Sequence, residues 1–307
     1  MARAAYVADR LVDTVLTCVA ISFVVFAFLH LAGDPATVLL PPEASREAVA
    51  DLRRSLGLDD PFLLQYGRFL ASAVRGDFGD SFIIRDRALG ILLERAPATL
   101  ELAVAGLALG ILIAVPLGAV AAFRPRTWVD HLASIASVVG QAVPTFWLGI
   151  MLILVFAVSY RLVPVSGRDT WRSLILPAVC LAVYLAPVMM RLVRSGMLEV
   201  LRQDYIRTAR AKGIAERGIL WKHAFKNVSI PLVTMIGLQF GRLLAGTVVI
   251  EVVFAWPGNG WLTVKAVRTL DYPVVQASVV LLGAGIALVN LATDLVIGSL
   301  DPRIRHR

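Results

Sequence analysis

Six apolar runs dominate this chain, near residues 11–31, 99–123, 132–158, 174–194, 232–254 and 274–297. Each is close to the roughly 20 residues that a helix needs to cross about 30 Å of hydrocarbon. In that medium every backbone amide and carbonyl must find a partner inside the protein, which a helix supplies within one segment. The sequence therefore predicts an all-α membrane protein with six transmembrane helices. Composition agrees, since 58% of the 307 residues are hydrophobic and 17% charged, a more apolar balance than soluble domains show. Arg3 and Arg10 precede the first run as a signal-peptide n-region would. That run exceeds the h-region length of about 7–15 residues, so it is expected to stay as the first helix.

Residues 32–98 are too charged for lipid and carry Pro35, Pro41, Pro42 and Pro61. Within them "ASREAVADLRRSLGL" and "DPFLLQYGRFLASAVRGDFG" place apolar residues at helical spacing, the second ending at Gly76 and Gly79. The expected organisation is a tail and first helix at 1–31, a loop subdomain at 32–98, a transmembrane domain at 99–297 containing a basic loop at 195–231, and a tail at 298–307. Lys and Arg near span ends set orientation in short loops. They gather at Arg3 and Arg10, at Arg124 and Arg126, between Arg191 and Lys226, and at Arg303, Arg305 and Arg307. Both termini are thus expected in the cytoplasm and the 32–98 loop outside. The net charge of +8 is explained by this placement and needs no nucleic-acid partner.

Residues 195–231 read "SGMLEVLRQDYIRTARAKGIAERGILWKHAFKNVSIP", a basic amphipathic stretch expected to break at Gly213 and Gly218 and to close at Pro231. It also fits a solvated loop held near anionic lipid. The order of residues suggests more: a short helix that ends at a glycine can dock in a groove of a soluble partner and carry its movement into the bundle. Thr208, Ala209 and Ala211 allow close approach, Gly213 permits the turn, and Arg207, Arg210 and Lys212 can reach acidic groups.

The run "DYIRTARAKG", from Asp204 and Tyr205 to Gly213, resembles the EAA loop of the membrane subunits of binding-protein-dependent ABC importers, in the branch of permeases for dipeptides, oligopeptides and nickel. Arg207 stands where the wider family has Glu, followed by Thr208, Ala209 and, at the family glycine, Gly213. The resemblance extends through "GLDDPFLLQY", "RGDFGDSF", "ERAPATLELA", "VPTFWLGIMLIL", "GRLLAGTVVIEVVFAWPGNGWL" and the closing "DPRIR". Asn259 departs from the pattern, at a position where an apolar residue is expected between two glycines. The resemblance implies the type I importer permease fold in a bacterial inner membrane. It implies a second homologous permease as heterodimer partner, two ATPase subunits that bind ATP and Mg, and an extracytoplasmic solute-binding protein. The implied cargo is a dipeptide or oligopeptide, with nickel or another small solute as the alternative.

No enzyme is expected in the chain itself. The nearest glycine loop, "GIAERGIL", lacks the Lys and Ser/Thr that hold nucleotide phosphates. His30, His131, His223 and His306 are scattered, and Cys18 and Cys180 lie inside apolar runs, so neither a metal site nor a disulfide framework is supported. Arg242 lies ten residues into the fifth run, about 15 Å deep, where a charge faces a partner or a water-filled path. Gln239 lies one turn before it. Gln141, Pro144, Thr145 and Trp147 form a kinked polar patch in the third run that can line a pathway or simply pack. Gly106, Gly110 and Gly118 allow close helix approach in the second. An ion-coupled secondary transporter would call for two repeat halves and paired midplane acids. A scaffold without a pathway would leave Arg242 and the basic loop unexplained.

Overall fold

A computed structural model describes residues 2–41 and 44–300. Pro42, His306 and the motif at 301–305 lie outside the described residues, as do the side chains of Arg3, Arg10 and His223.

The described residues are helical almost throughout. In order come α1 (Ala2–Ala32), α2 (Pro35–Leu39), α3 (Arg46–Ser55), α4 (Phe62–Ala73), α5 (Ala88–Phe123), α6 (Trp128–Ala142) and α7 (Thr145–Leu152), which continues as a π-helix over Ile153–Ser159. A 3₁₀ turn, Trp171–Leu174, leads into α8 (Ile175–Leu201). Then follow α9 (Asp204–Ala211), the single turn α10 (Glu216–Gly218), a π-helix over Ile219–Phe225, α11 (Lys226–Val253), α12 (Asn259–Arg268) and α13 (Tyr272–Leu300).

Among the described residues five helices are long and apolar enough to cross a membrane, and α6 with α7, bent by 100° at their junction, make a sixth when counted as one span. Pro144 starts the second piece and, having no amide hydrogen, cannot extend α6. The third apolar run is thus two helices rather than one continuous helix. α5 begins at Ala88, well before the apolar run at 99, because Glu94 and Arg95 lower the hydropathy of its first turns without disfavouring helix.

Two compact units emerge, dividing within α5 and α13. Residues 1–99 with 257–287 form one. There α4 lies along α1 through aromatic rings: Phe26, Tyr66 and Phe69 are buried together, and Phe23 meets Tyr66 edge-on at 5.1 Å between centroids. Tyr66 Oη donates to the Val19 carbonyl at 2.9 Å, and His30 Nε2 lies 2.9 Å from Gln65 Oε1. A second core joins Leu29, Ala88 and Leu92 to Leu262, Tyr272 and Val274. Asp34 caps α2 through the Ala36 amide. Asp59 and Asp34 both accept from Arg53, which raises its pKa above the usual arginine value.

Among the described residues the other unit comprises 100–256 and 288–300. Here α8 is the central helix, with Cys180, Leu185, Met189, Val193 and Met197 buried. The small residues expected to permit close approach do so: a Cβ on Gly110 would sit 3.2 Å from Met189 Cε, and one on Gly118 would sit 2.7 Å from the Met190 carbonyl oxygen. Gly140 of α6 meets the Val183 carbonyl of α8 in the same manner, at 3.1 Å.

The basic stretch 195–231 differs from its expected outline in two places. Gly218 does not break it, because α10 passes directly into the π-helix. Pro231 does not close it, because it lies inside α11, within two turns of the start. There the missing amide hydrogen removes only one internal bond, which a membrane helix tolerates.

Candidate coupling helix and translocation face

α9 is short, exposed on one side and anchored on the other. Ile206 and Ala209 are buried against Ile219 of the π-helix, with Val200 and Leu201 packed beside them. Six of the expected contact residues, Asp204, Tyr205, Arg207, Thr208, Arg210 and Lys212, remain on the exposed side. Ala209 does not. Its methyl group faces this chain, so the close approach it permits is internal, between α9 and the π-helix.

The end of α9 is a Schellman turn. The Gly213 amide donates to the Arg210 carbonyl at 2.9 Å and the Ile214 amide to that of Ala209 at 3.2 Å. Gly213 has φ of 75°, and nothing lies within 4 Å of where its Cβ would be. Glycine is required here by backbone conformation alone. Arg210 Nε donates to Glu216 Oε1 at 2.8 Å across the turn, and this bond raises the arginine's pKa. Arg207 and Asp204 stand 3.6 Å apart and almost fully exposed, a pair worth little to stability and available to another protein. Asn227 Nδ2, at the base of α11, donates to Tyr205 Oη at 3.0 Å. The exposed helix is thereby tied to α11 twice, through this bond and through the π-helix.

The four proposed pathway residues fall into two separate pairs. Gln141 and Thr145 flank the break between α6 and α7, where the Thr145 carbonyl accepts from Cys180 Sγ at 3.2 Å. Gln239 and Arg242 share one stretch of α11, and Arg242 Nη1 lies 3.4 Å from Gln239 Oε1. Gln239 is buried and Arg242 exposed. Among the described residues no hydrogen bond joins the two pairs. Glu251, nine residues beyond Arg242, is fully buried and accepts from Thr247 Oγ1 at 3.1 Å. Helical rotation of about 100° per residue puts it on the opposite face.

Sequence reasoning missed a polar seam between α6 and α8. Asp130, 4% exposed, accepts from Arg194 and from the Arg126 amide, and Arg191 Nη1 donates to Ser137 Oγ at 2.9 Å. An acid beside the third apolar run and two arginines one turn apart near the end of the fourth were the available signal.

Residues 114–306 match the family described as the binding-protein-dependent transport system inner membrane component. The chain belongs to this family. Residues 3–103 match the N-terminal region of the same transport-system membrane components. This inner membrane component is 40% identical over 303 residues to the glutathione transport system permease protein GsiC of Salmonella paratyphi A, covering 98% of this chain and 99% of that one. The GsiC of Escherichia coli K12 matches to the same extent. Likeness of that degree over the full length puts the chain in the peptide and nickel branch of ABC importer permeases, as multi-pass proteins of the inner membrane. Its fold is that of a solved structure of the MetNI methionine ABC transporter in inward-facing form, with a TM-score of 0.56 and 20% identity over 69% of this chain and 96% of that one.

Proposed function

We propose that this permease forms one half of the translocation pore of an ATP-driven importer of peptides, paired with a second, homologous permease. ATP is bound and hydrolysed by two separate ATPase subunits, and α9 with Asp204, Tyr205, Arg207, Thr208, Arg210, Lys212 and Gly213 is the surface on which one of them docks. An extracytoplasmic binding protein delivers the solute to the side bearing residues 32–98. Both termini and α9 face the cytoplasm, a reading supported by the exposed basic residues from Arg202 to Lys212.

The observation that carries this reading is the double attachment of an exposed short helix to a membrane-crossing one. A push on α9 passes through Ile219 and Asn227 into α11, the helix that bears Gln239 and Arg242. The GsiC relatives are named for glutathione, itself a tripeptide, which favours a peptide cargo. The test is ATP-dependent uptake of a labelled dipeptide and of glutathione by the complete importer in proteoliposomes. Saturable uptake that stops without ATP is the expected result. Uptake of nickel ion with neither peptide carried would replace the cargo, and recovery of the chain without ATPase subunits would remove the docking role.

A further inference from the structure

We infer that Arg242 is a binding residue for the carboxylate of the transported peptide, so that this half of the pathway selects for an anionic group. The inference rests on the peptide-importer reading above. Arg242 lies about 24 Å from the start of α11 and about 16 Å from its end, at 1.5 Å per residue. A guanidinium at such depth does not face lipid. It meets either an opposite charge or water. No carboxylate of this chain is within ion-pair distance among the described residues, and Gln239 Oε1 is its hydrogen-bond partner.

Its surroundings on α11 suit a transient ligand. One turn further on, Gly246 is exposed and nothing occupies the space within 4 Å of its Cβ position. Leu238 and Val249, on the same side of the helix, are exposed and apolar. The face thus offers one charged fork, an adjacent glycine without a side chain in the way, and flanking hydrocarbon. Gln239, itself buried, accepts from Arg242 and steadies the exposed fork, whose other N–H groups remain as donors. Two donors side by side match the two oxygens of a carboxylate. A permanent acid on the second permease would instead bury an ion pair at the interface, where desolvation cancels much of the attraction.

The experiment uses the complete importer in nanodiscs and a dipeptide carrying a photoreactive diazirine, with a free C-terminal carboxylate or as the C-terminal amide. Labelled peptides of α11 are identified by mass, and ATP-driven uptake of the carboxylate form is measured in parallel. The expected result is labelling between 238 and 249, about tenfold weaker for the amide and about tenfold weaker for the carboxylate in Arg242→Gln, with Arg242→Lys between. Equal labelling of both forms, or labelling unchanged in Arg242→Gln, overturns the inference. So does uptake by the wild type without label on α11. Loss of assembly in Arg242→Gln with assembly restored in Arg242→Lys would assign the charge to the second permease instead. A wild type that takes up no peptide overturns the peptide-importer reading itself.

Discussion

Arg194 grips Asp130 with both arms of its guanidinium, Nε to Oδ1 at 2.6 Å and Nη2 to Oδ2 at 2.8 Å. The acid is 5% exposed in its side chain and the arginine 30%, so the pair fastens α6 to α8 near the ends of both helices. Removing one partner of a buried pair costs more than the pair itself contributes, because the other charge is left uncompensated. Asp130→Ala is expected to destabilise the chain by about 2 kcal/mol, less than the cost for a fully buried pair since Arg194 reaches water. Asp130→Asn, which retains an acceptor, should lose roughly half of that. Thermal denaturation of the purified importer measures both, and equal melting temperatures for the three proteins would refute the seam's importance.

Gly213 tests the turn after α9. Alanine meets no atom there, yet must hold a left-handed backbone at a cost of about 1–2 kcal/mol. Gly213→Ala should lower uptake per ATP hydrolysed while the ATPase subunits still co-purify, and Gly213→Asn should fall between alanine and the wild type. The coupling assignment does not survive if Gly213→Ala transports normally.

Neighbouring positions on α9 should fail in different ways. Ala209→Leu overfills the contact with Ile206 and Ile219, for about 1–3 kcal/mol, and should uncouple uptake without weakening ATPase binding. Thr208→Leu changes the exposed side and should weaken ATPase binding itself. Co-purification and uptake, measured together, separate the two; identical defects would mean that both residues face the same partner.

Packing of α5 on α8 predicts a ranking. A methyl at Gly110 presses on Met189 Cε, the mobile end of a flexible side chain, whereas one at Gly118 presses on the Met190 carbonyl at 2.7 Å. Gly118→Ala should cost about 1–3 kcal/mol and Gly110→Ala well under that, read as loss of melting temperature. The reverse order would contradict the helix register.

In the segment before α5, Ser81 and Phe82 are held by buried Asp271, which accepts from Ser81 Oγ and, at 3.1 Å, from the Phe82 amide. Asp271→Ala strands both donors, for about 1–3 kcal/mol. Faster proteolytic cleavage between 79 and 87 in intact importer is the expected sign, and unchanged cleavage would show that the loop is held elsewhere.

Hydropathy made the crossings legible because lipid imposes a length and an apolar content that few other environments demand. The break at Pro144 was legible too, but not its angle, which depends on what α7 packs against. Gly213 stood out because a single residue type suits its backbone. Ala209 did not, since its side of α9 is decided by Ile219, ten residues on. Asp130 and Arg194 are 64 residues apart, and no local pattern announces their meeting. Pro231 misled for a physical reason: proline ends helices in water more reliably than in membranes.

Pro144 heads α7 without a side-chain cap, and Gln141, Ala142, Phe146 and Trp147 are exposed around it. First-turn amides of a helix have no partner within it, and in hydrocarbon each such group costs several kcal/mol. We propose that in a chain inserted without its partners this exposed junction of α6 and α7 is a defect that quality-control proteases of the membrane recognise. Cellular levels of this chain should therefore track the supply of whatever covers the junction, and an orphan copy should be short-lived however stable its individual helices are.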